Sequence, residues 1–221
     1  MSFFENTRKP VGLGGKLMVA MMNLGHSPVA RWGLQFLNAA LDAKVLDCGC
    51  GGGANMKRLL KKCPQGIVKG IDYSPVSVEK TKKVNETAIA EGRCAVLQGS
   101  VADMIFADDW FDAVTAFETV YFWPDLPQCF REVCRVLKPD GTFLICNESS
   151  GDTDKDEKWT EIIGGMAIKR GGVPLQDRMD KEKKPYIFVG LVCVREQYQD
   201  RAICARLWIL PLPRATGWAC R

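Results

Sequence analysis

An apolar run that ends in a carboxylate and turns at once into glycine constrains this chain more than any other feature: Val45-Leu46-Asp47-Cys48-Gly49-Cys50-Gly51-Gly52-Gly53-Ala54-Asn55. Met56-Lys57-Arg58-Leu59-Leu60-Lys61-Lys62 follows, with apolar 56, 59 and 60 set against basic 57, 58, 61 and 62. This order describes a strand, a tight turn and a helix opening. Glycine has no Cβ, so the turn accepts positive φ and a ligand can approach the main chain. The first amides of the helix point N–H groups at the same place.

Asp47 narrows the ligand. A dinucleotide or nucleoside triphosphate brings phosphates to such a turn, and a carboxylate at the strand end repels them. S-adenosylmethionine brings an ammonium, a sulfonium and one carboxylate, so Asp47 suits its cationic end. A glycine-rich structural turn with no ligand is the plainer alternative.

The second unit repeats the pattern. Gly66-Ile67-Val68-Lys69-Gly70-Ile71-Asp72 is an apolar strand ending in an acid, nineteen residues past Gly53. At that distance the second strand of a βαβ unit offers a carboxylate to ribose hydroxyls. Tyr73-Ser74-Pro75 then sets Ser74 as N-cap and Pro75 as first helical residue, for a helix running to about 91–92. Ala95-Val96-Leu97-Gln98-Gly99 is a third strand, and the Ser100-Val101-Ala102-Asp103-Met104 loop leaves its end. Phe111 to Phe117 is a fourth, delivering Glu118, Thr119, Tyr121, Phe122 and Trp123 to the same sheet edge. A helix is expected over 125–137, then a Pro139-Asp140-Gly141 turn and a fifth strand over 142–146. Strands alternating with helices predict an α/β fold with a doubly wound, mostly parallel, Rossmann-like sheet.

Taken together these segments resemble the class I S-adenosylmethionine-dependent methyltransferases, over residues 40–163. Asp47-x-Gly49-x-Gly51-x-Gly53 is similar to that family's first motif, and Gly70-Ile71-Asp72-Tyr73-Ser74 to its ribose-binding strand end. Tyr121-Phe122-Trp123-Pro124-Asp125 resembles the loop after its fourth strand. Arg135 to Thr142 resembles the turn into its fifth. The resemblance is to the small-molecule, quinone-biosynthesis-like branch. It implies Gly49, Gly51 and Gly53 against the methionine end, Asp72 and Tyr73 at the ribose, and Ser100 and Val101 beside the adenine. Phe117 and Glu118 would lie near the sulfonium. Many relatives carry Asp where Ser100 stands, so Asp103 is an alternative partner for the adenine amino group.

Methyl transfer asks mainly for in-line positioning and exclusion of water. An acceptor that must lose a proton needs a base, for which Glu118 and Tyr121 are candidates, with His26, the sole histidine, third. The Tyr121, Phe122 and Trp123 rings are either substrate walls or core. Two other readings stand beside methyl transfer to a small molecule: an NAD(P)-dependent oxidoreductase, since Gly49-x-Gly51-x-x-Ala54 meets its looser pattern, and an inactive cofactor-binding regulator.

Three segments are expected. Residues 1–40 form a helical cap, with one helix around Leu17, Met18, Met21 and Met22 and another presenting Trp32, Phe36, Leu37 and Ala40 on one face. They serve either as sheet cover or as a lid in which Phe3, Phe4, Met18 and Met22 wall the substrate. Gly12-Leu13-Gly14-Gly15-Lys16 imitates a phosphate loop but has Pro10 and Leu17 at required positions. Residues 41–163 are the cofactor-binding core. Residues 164–221 diverge: the stretch 169–184 is charged, and runs near 186–194 and 205–210 read as strands six and seven or as an altered, poorly ordered terminus. The 164–221 segment holds 11 Lys+Arg against 5 Asp+Glu, whereas 1–163 holds 19 against 21. A core without basic excess argues against a nucleic-acid partner. No apolar run reaches the roughly 20 residues of a membrane span, and no signal sequence opens the chain, so a cytoplasmic monomer or homodimer is expected. Ten cysteines with no CxxC pair predict free thiols and no metal.

Overall fold

The computed structural model describes residues 30–31 and 33–146, together with two further strands, 187–195 and 202–211, as backbone. The strands are β1 (Lys44–Cys48), β2 (Ile67–Asp72), β3 (Cys94–Gln98), β4 (Phe111–Phe117), β5 (Leu137–Cys146), β6 (Ile187–Arg195) and β7 (Ala202–Pro211). The helices are α1 (Ala54–Lys62), α2 (Pro75–Val84), α3 (Glu86–Ala90) and α4 (Leu126–Val136). The sheet runs β3-β2-β1-β4-β5-β6-β7. Strands β1 to β5 are parallel, and β6 runs against β5 and β7. The doubly wound, mostly parallel sheet read from the sequence is the observed one.

Helices cover both faces because central parallel strands must be buried twice. On one face Met56, Leu59 and Leu60 of α1 and Val78 of α2 pack with Val45, Val68, Val96 and Leu144. On the other, Phe130 and Val133 of α4 pack with Leu46, Val114, Phe143 and Ile145, joined by Val101, Met104 and Phe106 from the loop after β3. Strand order reverses between β1 and β4, and in open α/β sheets ligands lodge at such a switch point, beyond the strands' C-terminal ends.

Several boundaries differ from expectation. The single helix expected to about residue 92 is broken at Asn85 into α2 and α3. Strand β5 begins at Leu137, before Pro139-Asp140-Gly141, and its pairing with β4 slips between Phe111 and Ala113. Proline has no N–H for a ladder, which accounts for a slip there. The helix expected through Ala40 ends by Leu34. Leu37 turns into the core, while Phe36 is exposed. Gly33 lies against Cys146 and Phe117, where a Cβ would come within 2.6 Å of the Cys146 sulfur.

The first expected helix, its lid residues, Trp32, His26 and the charged stretch 169–184 lie outside the described residues. Among the described residues no helix is long and apolar enough to cross a membrane, and no group of three His, Cys, Asp or Glu could hold a metal. Cys48, Cys50, Cys63, Cys94, Cys129, Cys134 and Cys146 are free, and all of these but Cys134 are buried. Burial pushes the thiols of Cys48, Cys50, Cys63, Cys94, Cys129 and Cys146 up.

Candidate active site

The loop from Gly49 to Gly53 sits at the switch point. Gly49, Gly51 and Gly53 all have positive φ (72°, 53° and 80°). Their tasks differ. A Cβ on Gly49 would run into Thr119, in the loop after β4. One on Gly53 would lie 2.7 Å from Asn85 Nδ2 and 2.9 Å from Thr81 Cα. One on Gly51 would meet nothing nearer than Gly49 O at 3.9 Å. Two glycines let the loop pack against its neighbours, and the third leaves its Cα bare over open space.

Asp47 lies beneath this loop, paired in register with Gly70 of β2 and Thr115 of β4. Its side chain is 1% exposed. Thr115 Oγ1 donates to Asp47 Oδ1 at 2.8 Å, while Oδ2 is buried with no hydrogen-bond partner among the described residues. Burial pushes the Asp47 carboxyl up to about 7; the Thr115 bond opposes this, and the nearby Asp72 charge adds to it. Such a group sits behind the loop rather than at the surface as a ligand. A cation arriving above would favour its ionised form.

Asp72 ties the second strand to the loop. Gly51 N–H donates to its Oδ2 at 2.8 Å, and Ser74 N–H to its Oδ1 at 2.9 Å. Burial raises its pKa, and these two backbone bonds oppose the shift. Each oxygen keeps a second acceptor site, so the carboxylate can take a hydroxyl donor as well. Ser74 caps α2 through its Oγ, which accepts from Ser77 N–H at 3.3 Å. Tyr73 beside it is partly exposed.

At the end of β3, Ser100 forms a small turn: Ala102 N–H donates to its Oγ and Asp103 N–H to its carbonyl, both at 3.2 Å. Val101 is buried and Asp103 exposed. Arg135 fastens the rest of this loop to α4. It donates to the Met104 and Phe106 carbonyls, each at 2.7 Å, and pairs with Glu132 and Asp108. Met104 N–H in turn donates to Glu132 Oε2 at 2.8 Å.

Phe117 ends β4, buried against Gly33. Glu118 follows with φ of 55°, in the left-handed region that side chains other than glycine seldom occupy. Its N–H donates to Cys146 O at 2.9 Å, and its Oε2 accepts from Tyr121 Oη at 2.8 Å. The side chain is nearly buried, at 8% exposure. Trp123 is core, stacked on Phe143 with ring centroids 6.3 Å apart. Tyr121 and Phe122 stay half-buried at the site's rim.

Thr81, Asn85 and Thr115 support this site and were not singled out from the sequence. Thr81 and Asn85 stand three and seven residues beyond buried Val78, continuing the inward stripe of α2 to its C-terminal cap. Polar residues on an inward stripe are the signal that would have found them.

Residues 46–145 match the family described as a methyltransferase domain. The segment is a class I methyltransferase domain, and S-adenosylmethionine is the cofactor of such domains. Sterol methyltransferase-like 2 of Botryococcus braunii is 35% identical over 132 residues, which cover 58% of this chain and 33% of that protein. Cycloartenol-C-24-methyltransferase 1 of Oryza sativa subsp. japonica is 34% identical over 102 residues, 46% of this chain and 29% of that protein. The chain thus spans about a third of the length of these relatives. The solved structure of a SAM-dependent methyltransferase from Aquifex aeolicus shares the fold, with a TM-score of 0.60 and 19% identity, over 70% of this chain and 86% of that one. The methyltransferase domain fits its cofactor at two points: open space over Gly51 where backbone can be approached, and a buried Asp47 oxygen without a hydrogen-bond partner among the described residues.

Proposed function

We propose that this chain transfers a methyl group from S-adenosylmethionine to a small apolar acceptor. The observation that carries the reading is the bare Gly51 Cα above a buried, half-partnered carboxylate, a setting that favours positive charge and disfavours phosphate. Gly49, Gly51 and Gly53 would take the methionine end, Asp72 and Tyr73 the ribose, and Ser100 and Val101 the adenine. When bound, the cofactor supplies a methyl on a sulfonium, already a good leaving group. Phe117 and the Tyr121 and Phe122 rings exclude water from that end. Glu118 accepts the acceptor's proton at a carboxylate oxygen, and Tyr121, bonded to its Oε2, orients it.

Sterol methyltransferases among the relatives support an apolar acceptor, and the quinone-biosynthesis-like resemblance supports a quinol; both are small, ring-bearing and poorly soluble. Calorimetric titration of the full chain with S-adenosylmethionine and with NAD(H), followed by turnover to S-adenosylhomocysteine over sterols, quinols, phenols and amines, tests the reading. Micromolar donor binding and turnover with an apolar acceptor are expected. Binding of NAD(H) in place of the methyl donor overturns it, and donor binding without turnover on any acceptor points to a regulator.

A further inference from the structure

Two buried polar side chains, Thr81 on α2 and Asn85 at its C-terminal cap, take no part in the proposed chemistry, yet both grip the glycine loop. Thr81 Oγ1 donates to Gly51 O at 2.7 Å. Asn85 Nδ2 donates to Gly53 O at 3.2 Å and to Thr81 O at 3.0 Å. Cys50 Sγ lies 3.9 Å from Thr81 Oγ1, as donor to it. Thr81 is fully buried and Asn85 is 4% exposed. The Asn85 amide is oriented unambiguously, because two carbonyl acceptors demand its NH2 end.

We propose that Thr81 and Asn85 are positioning residues for the methyl-donor loop, holding it in its binding shape before the cofactor arrives. This rests on the function proposed above. A peptide unit is planar and trans, so its carbonyl and the next N–H point in opposite directions. Pinning Gly51 O toward α2 therefore turns the Gly51–Gly52 amide plane outward, and pinning Gly53 O does the same for the Gly53–Ala54 plane. The loop needs this. Glycines fill 49, 51, 52 and 53, and glycine forfeits more backbone freedom on ordering than any other residue. Asp72 fixes the loop through Gly51 N–H, and Thr81 fixes it through the carbonyl of the same residue, so Gly51 is held on both sides. Asn85 interrupts the helix between α2 and α3, and its side chain fills the gap beneath Gly53.

Thr81→Val keeps shape and removes the hydroxyl, and Thr81→Ser restores it. Amide hydrogen exchange over 49–54 in the ligand-free full chain, with calorimetric affinity for S-adenosylmethionine, reads the outcome. Thr81→Val is expected to speed exchange in the loop about tenfold and to weaken the donor about five- to tenfold, the worth of one lost hydrogen bond. Thr81→Ser is expected within about twofold of the unaltered chain on both measures. Unchanged loop exchange in Thr81→Val overturns the proposal, as does a variant that melts earlier yet binds the donor as tightly. If the unaltered chain binds no donor, the methyl-transfer reading falls along with the claim on affinity. The exchange comparison still decides, separately, whether Thr81 orders the loop.

Discussion

Thr115 and Asp47 face each other across the β1–β4 pairing, the threonine hydroxyl bonded to one carboxylate oxygen at 2.8 Å while the other oxygen is buried without a partner among the described residues. The strands of the switch point thus place an acid under the glycine loop and satisfy half of it. Burial dominates the result, holding the carboxyl near 7 instead of its ordinary 3.8.

That shift ties stability to pH. Between 3.8 and about 7 the folded protein keeps a proton on Asp47 that the unfolded chain has released. Stability from this group is therefore greatest below the lower value, falls as pH rises through the window, and levels off above it. Asp72, also raised, works in the same direction. Urea midpoints of the ligand-free chain are expected to drop from pH 5 to pH 7.5, with a flatter profile in Asp47→Asn. An equal drop in both proteins would show that the slope comes from elsewhere.

The glycines separate binding from folding. Gly51→Ala places a methyl in open space at φ of 53°, so it costs about 1 kcal/mol of stability. That methyl nonetheless stands where the proposed site has the cofactor approach, and loss of donor binding is expected. Gly53→Ala drives a Cβ into Thr81 and Asn85 and should lower the melting temperature far more. Paired thermal melts and donor titrations check this, and the reverse ranking would sink the division of labour.

Glu118 and Tyr121 are expected to matter for turnover more than for donor affinity. Glu118→Gln, which keeps the shape and loses the proposed base, should lower kcat about a hundredfold or more for an acceptor that must shed a proton. Tyr121→Phe should cost about tenfold, through loss of the bond to Glu118 Oε2. Kinetics at saturating donor decide, and a kcat untouched by Glu118→Gln would move the base elsewhere.

Arg135 should prove hard to replace. Its planar fork reaches two backbone carbonyls and two carboxylates at once, and Glu132 is held below the usual carboxylate range chiefly by its bond to this guanidinium. Arg135→Met is expected to cost about 2 kcal/mol, and Arg135→Lys to recover little of it, since an ammonium cannot present the same fork. Denaturant unfolding of both variants measures this.

Much of the fold was legible because period and punctuation agreed. Phe111 to Phe117 reads as a buried strand and is one, and Ser74-Pro75 reads as a cap and first turn and is one. Asp47 and the three glycines lie at the switch point, and Gly51 N–H reaches Asp72 from there. Tertiary support was harder to read. Thr81 and Asn85 look like ordinary polar helix residues until the loop above them is seen, and Asn85 hides a break in the helix. Leu137 passes for the end of a helix because strand and helix both want an apolar residue there. Trp123 could not be sorted from Tyr121 and Phe122 by pattern, since stacking on Phe143 decides its place.

The cysteines have a practical consequence. Those of the described core other than Cys134 are buried with their protons held fast, so these six should resist alkylation in the native domain at neutral pH. Opening the domain bares nucleophilic sulfurs together. Heating without reductant should thus end in crosslinked aggregate instead of recovery, and the pace at which a maleimide dye labels these six buried sites becomes a clock for unfolding.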